Sequence, residues 1–147
     1  MNTQFSQRLF RSNGGYAALV LRVPVGLVLA AHGAQKLFGW FRGYGLEGTG
    51  QWLASIGLEP GYLMALLAGG AEFFGGLALV LGLLTRPAAL VAAFTMLVAI
   101  FSVHIGNGLF MSNNGYEYAL TLLVVTVALA MQGAGRFAVD NLFYKEG

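Results

Sequence analysis

Apolar residues collect in four long stretches with short polar breaks between them. The first runs from about Tyr16 to Leu37, the second from about Gly61 to Leu84, the third from Pro87 to about His104, and the fourth from about Tyr116 to Met131. Each holds about 16–24 residues, near the ~20 that carry an α-helix across ~30 Å of hydrocarbon. The fourth is at the short end, which the bilayer or neighbouring helices must accommodate. Pro87 suits the first turn of the third helix. The second and third stretches are joined by the tight Leu84-Thr85-Arg86-Pro87 turn, and the third and fourth by segments rich in Gly and Asn, from Gly106 to Gly115. The first connection, Phe38 to Pro60, is longer. Within it Gln51–Ile56, bounded by Thr49 and Gly57, predicts a short amphipathic helix lying in the interface. The mixed tail after Gly133 is expected to rest on the membrane surface. The pattern predicts an all-α fold: one integral membrane domain over residues 1–147, a four-helix transmembrane bundle with a short interfacial helix in its first outer loop.

Composition supports lipid as the solvent. Of 147 residues 57% are hydrophobic and 10% charged, with a mean hydropathy of +0.70, whereas a soluble domain carries roughly 25% charge. There is no cysteine, which removes disulfides, CxxC chemistry and thiolate metal sites. A net charge of +2 spread along the chain makes no nucleic-acid surface. Arg8 and Arg11 before an apolar run resemble a secretory leader. Arg22 and Pro24 interrupt that run, however, and it continues through Leu37, Phe38 and Trp40, so an uncleaved first span is expected.

Basic residues set the expected orientation. Arg8, Arg11, Arg86, Arg136 and Lys145 fall on one side, Lys36 and Arg42 on the other, which favours both termini in the cytoplasm. Aromatic residues such as Trp40, Tyr44, Trp52, Tyr62 and Tyr118 crowd the outer side. Small residues mark packing faces: Gly26, Ala30, Gly33 and Ala34 on the first helix, Ala65, Ala68, Gly69 and Gly76 on the second, and Ala88, Ala89, Ala92 and Ala93 on the third.

Ionisable groups inside a bilayer are costly and call for a partner or a task. Six stand out: Arg22, His32, Lys36, Glu72, His104 and Glu117. Counted from the outer loops, Arg22 lies ~21 Å deep and Glu72 ~16 Å. The two are therefore expected to form a buried ion pair, either a latch or a carboxylate that exchanges protons. His32 and Lys36 are an i, i+4 pair; Lys36 could equally snorkel and His32 simply pack. Glu117 could close a capping box with Asn114, and His104 could complement a helix C-terminus. Together, His32, Lys36, Glu72, His104 and Glu117 predict an outward-facing polar funnel that binds a ligand. Their spacing matches no metal-ligand motif, and both histidines lie at one end, which disfavours axial haem ligation.

The sequence resembles the DoxX family of small bacterial inner-membrane proteins. The likeness rests on Arg22 followed by His32-Gly33-Ala34-Gln35-Lys36-Leu37-Phe38-Gly39, on Ser55-Ile56-Gly57-Leu58-Glu59-Pro60, on the run from Glu72-Phe73-Phe74-Gly75-Gly76 to Leu84-Thr85-Arg86, on Asn114-Gly115-Tyr116-Glu117 and on Gly133-Ala134-Gly135-Arg136. It implies a four-helix membrane protein, with family associations to quinone-coupled thiosulfate oxidation and to membrane oxidoreductase assemblies. Three functions stay open. The chain could be a redox-linked subunit that binds a quinone-like or small polar-headed ligand. It could be a non-catalytic accessory protein docking an oxidoreductase partner subunit, or a proton-coupled small-molecule carrier. A homo-oligomer would give the carrier the room that four helices lack for alternating access, whereas a plain homo-oligomer would weaken the accessory reading; no residue is assigned a catalytic role.

Overall fold

A computed structural model describes residues 3–144, and Lys145 of the expected inner-side charge set lies outside them. The described residues form helices and turns without strands. A short helix α1 (Thr3–Phe10) precedes α2 (Gly15–Phe38). Helix α3 (Gly45–Ser55) follows after a tight turn, then α4 (Gly61–Leu81), α5 (Thr85–Ala99), α6 (Glu117–Gln132) and the single turn α7 (Asp140–Phe143). Helices α2 and α4, and α5 with its continuation to Asn107, are each long and apolar enough to cross a membrane; α6 is a shorter apolar helix. The interfacial helix is longer than the predicted Gln51–Ile56 and starts at Gly45. Helix α5 gives way to one π-helical turn, Ile100–His104.

Two packed pairs build the bundle. Helices α2 and α4 lie against each other through their small residues, since a Cβ at Gly26 would sit 2.6 Å from the Gly76 carbonyl oxygen and one at Gly76 within 3.0 Å of Ala30 Cα. Lipid supplies no hydrophobic drive between helices, so close backbone approach is what holds this pair. Helices α5 and α6 form the second pair, and the core is built from Ala89, Ala92, Met96, Ala119, Leu122 and Leu129 together with Leu29 and Leu79 of the first.

The end of the bundle that carries both termini is closed by hydrogen bonds. The Arg22 side chain is 0% exposed. Its Nε donates to the Ala134 carbonyl at 2.8 Å, Nη1 to those of Leu79 and Val80, and Nη2 to those of Arg136 and Phe137. A guanidinium has five N–H donors, and all are used. The tail folds against this end of the bundle, where the Arg22 guanidinium satisfies the carbonyls of Ala134, Arg136 and Phe137. Asp140, 1% exposed, accepts from the backbone N–H groups of Leu84 and Thr85 at 2.6 and 2.9 Å. This caps α5 and holds Leu84 at φ 47°, a backbone region unfavourable to a branched side chain. Arg86 donates to the carbonyls of Ala130, Met131 and Arg11, tying the end of α6 to the segment before α2.

Candidate functional site

The expected Arg22–Glu72 pair does not form. Glu72 pairs with Lys36 instead, with Nζ and Oε2 2.5 Å apart. The reason is helix register. Lys36 lies opposite Gly69, whose added Cβ would meet the Lys36 Cβ at 3.1 Å, while Gly61 lies against Gly50 of α3. The first turns of α4 thus stand above the level of Lys36, beside α3. Depth counted from Gly61 and from Lys36 starts at two different heights. The true register brings Arg22 to Gly82, whose added Cβ would sit 3.0 Å from Cζ of Arg22.

The Lys36–Glu72 pair opens into a cavity of about 650 Å³ between the two helix pairs, in the half of the bundle that carries α3. His32, Lys36, Glu72 and His104 all line it, as do Trp52 and Leu53 of α3, Ser102, and Tyr118 and Leu122 of α6. Glu72 is buried and Lys36 part-exposed, with side-chain accessibilities of 5% and 27%. The His32 ring packs on Tyr118 at 5.9 Å between centroids. His32 lines the cavity without a hydrogen bond to any described residue, yet its ring nitrogens are not sealed from it. His104 Nδ1 contacts the Asn114 carbonyl oxygen at 2.9 Å, fixing the ring at the cavity's far end. The π turn that ends in His104 also brings Ser102 and Val103 to the wall; single π turns inside helices recur at functional sites.

Glu117 stands apart from this group. It is the first residue of α6, with Tyr116 at the cap position, so the capping box with Asn114 does not form. Its Oε1 accepts from the Met111 backbone N–H at 2.8 Å and steadies the loop, and it does not line the cavity. Tyr118, one residue on, takes its place there. The sequence offered Tyr118 only as one aromatic among many on that side; its position one helical step from Glu117, facing His32, was the missed signal. Among the described residues no three His, Asp or Glu side chains gather as a metal site.

An α-helical membrane bundle, bonded shut at the end with the termini and hollow at the other, is the class this architecture defines. The chain belongs to the DoxX family, whose model matches residues 17–105. It is 35% identical over 127 residues to a Bacillus subtilis (strain 168) protein named "Putative oxidoreductase CatD", covering 86% of this chain and 87% of that one. It is also 35% identical over 114 residues to the "Inner membrane protein YqjF" of Escherichia coli (strain K12), covering 74% and 82%. An uncharacterized Haemophilus influenzae protein shares 34% identity over 134 residues, covering 89% and 93%. No solved structure matches.

Proposed function

We propose that this chain is a redox-linked subunit of the bacterial inner membrane that holds a quinone-like or other small polar-headed ligand in the cavity. In this reading it crosses the membrane four times, with both termini in the cytoplasm and the cavity in the outer half. The observation that carries the proposal is the meeting of His32, Lys36, Glu72, His104 and Tyr118 around one space of about 650 Å³, within the size range of small-molecule sites. His32 has hydrogen-bonding capacity left over. Lys36 can donate to a carbonyl oxygen while Glu72 balances its charge. The chain has no thiol through which to pass electrons, so its part is to position the head group and exchange protons with it, while an oxidoreductase partner supplies or takes the electrons. The relative named as an oxidoreductase supports this direction. The carrier alternative gains less support: below Glu72 the core is mainly apolar, through Leu29, Leu79 and Leu129, the buried Thr126 hydroxyl is bonded back to its own helix, and Arg22 is spent on backbone carbonyls.

The test is to purify the protein from native membrane and identify co-purifying small molecules by mass spectrometry. The wild type is expected to carry a ligand that His32→Ala loses while the bundle still melts as a folded unit. Equal ligand content in both would contradict the proposal.

A further inference from the structure

The cavity has a second property, which concerns how anything enters it. Helices α4 and α5 touch near their connecting turn, where a Cβ on Gly75 would lie 3.7 Å from the Ala88 carbonyl oxygen. Beyond that contact, residues of both helices line the cavity, Leu67 and Ala71 on α4 and Val91, Phe94 and Val98 on α5. Leu67, Val91 and Phe94 are also strongly exposed on the outside of the bundle, at 57%, 49% and 67%. Residues that line a cavity and face outward at once mark an opening; Trp52, Met111 and Tyr118, exposed at 41%, 47% and 37%, mark another one toward the outer loops. The opening between α4 and α5 is apolar, and it reaches inward of the Lys36 level: Ala71 is two residues beyond Gly69, which faces Lys36, and Val91 is six residues from the opposite end of the bundle on α5, about 9 Å at 1.5 Å per residue. Such an opening faces hydrocarbon, not water.

The polar wall selects the head. Lys36 is neutralised by Glu72, and no second cation lines the cavity unless a histidine is protonated. A phosphate or carboxylate head would meet the Glu72 carboxylate without a free cation to balance it. An uncharged head with carbonyl or hydroxyl oxygens can instead accept from Lys36 and exchange hydrogen bonds with His32 and Tyr118.

We infer that the cavity loads sideways from the bilayer, through the gap between α4 and α5, and takes a membrane-dissolved amphiphile with an uncharged oxygen-bearing head and an apolar tail that stays in the gap. This rests on the ligand-binding reading above and names its substrate class and route.

The inference can be tested with tryptophan fluorescence. The chain has two tryptophans, and Trp52 lines the cavity, so Trp40→Phe leaves one reporter at the site. The protein is placed in phosphatidylcholine nanodiscs and quenched with ubiquinone carrying a ten-isoprene tail, or with its water-soluble one-isoprene analogue. Both are expected to quench saturably. Ala71→Phe and, from the opposite wall, Val98→Phe narrow the gap; each is expected to slow quenching by the long-tailed quinone at least tenfold and leave the short one within about twofold. Two positions guard against one variant misfolding, and a thermal melt checks both. If neither quinone quenches the Trp40→Phe protein saturably, the ligand-binding reading falls with the inference. If both bind but narrowing the gap affects them equally or not at all, sideways loading falls and the binding reading stands. Displacement of the quinone by phosphatidylglycerol in the nanodisc would overturn the uncharged-head assignment.

Discussion

The two ends of the bundle handle buried polar groups in opposite ways. At the end with α1 and α7, Arg22 spends its five donors on five backbone carbonyls, and Asp140 caps a strained turn. At the α3 end, Lys36 and Glu72 hold each other beside open space, and His32 has no hydrogen bond at all to a described residue. A fully bonded buried cation is a structural device. A partly bonded set around a cavity leaves capacity for a ligand. Buried polar groups thus take different roles, and what separates them is whether unspent donors and acceptors face open space: Thr85 Oγ1 and Gln132 Nε2, unpaired among the described residues, are sealed in packed interior, whereas His32 lines the cavity.

That contrast orders the expected effects of substitution. Arg22→Leu is the most damaging, because it strands the backbone carbonyls that its guanidinium satisfies; a loss of roughly 3–5 kcal/mol is expected in a thermal or denaturant melt in detergent. Arg22→Lys should rescue little of it, since an ammonium has three donors and no planar fork. Asp140→Asn keeps one acceptor oxygen but loses the other and its charge, and is expected to cost about 1–2 kcal/mol by the same melt. Glu72→Gln leaves Lys36 without its counter-charge and should cost about 1–2 kcal/mol. Replacing both partners, as Lys36→Met with Glu72→Met, should return stability close to wild type, while ligand content stays lost. His32→Ala closes the series with a change under about 0.5 kcal/mol, because no hydrogen bond to a described residue is removed. A large destabilisation by His32→Ala, or an indifferent Arg22→Leu, would collapse the distinction between the two ends.

Much of the fold was legible because it is written in short-range patterns. The apolar stretches gave the long helices to within a few residues, and the Gly26, Ala30, Gly33 and Gly69, Gly76 faces gave the α2–α4 contact. Convergence of His32, Lys36, Glu72 and His104 followed from the helix ends. Long-range choices were not legible. The Arg22–Glu72 pairing failed because α4 starts about two turns above the level of Lys36, propped on α3, and nothing local to either helix records that offset. The roles of Arg22 and Asp140 depend on the tail folding back to residues 79–85, a contact between segments more than fifty residues apart. The π turn at Ile100–His104 carries no breaker residue to announce it.

Hydrogen–deuterium exchange in nanodiscs, with and without long-tailed ubiquinone, tests the division most directly. The account predicts ligand-dependent protection in residues 64–72 of α4 and in the π turn and loop after it, with no change in residues 79–85 and 134–140. Protection spread evenly over both ends, or confined to the end with the termini, would contradict it.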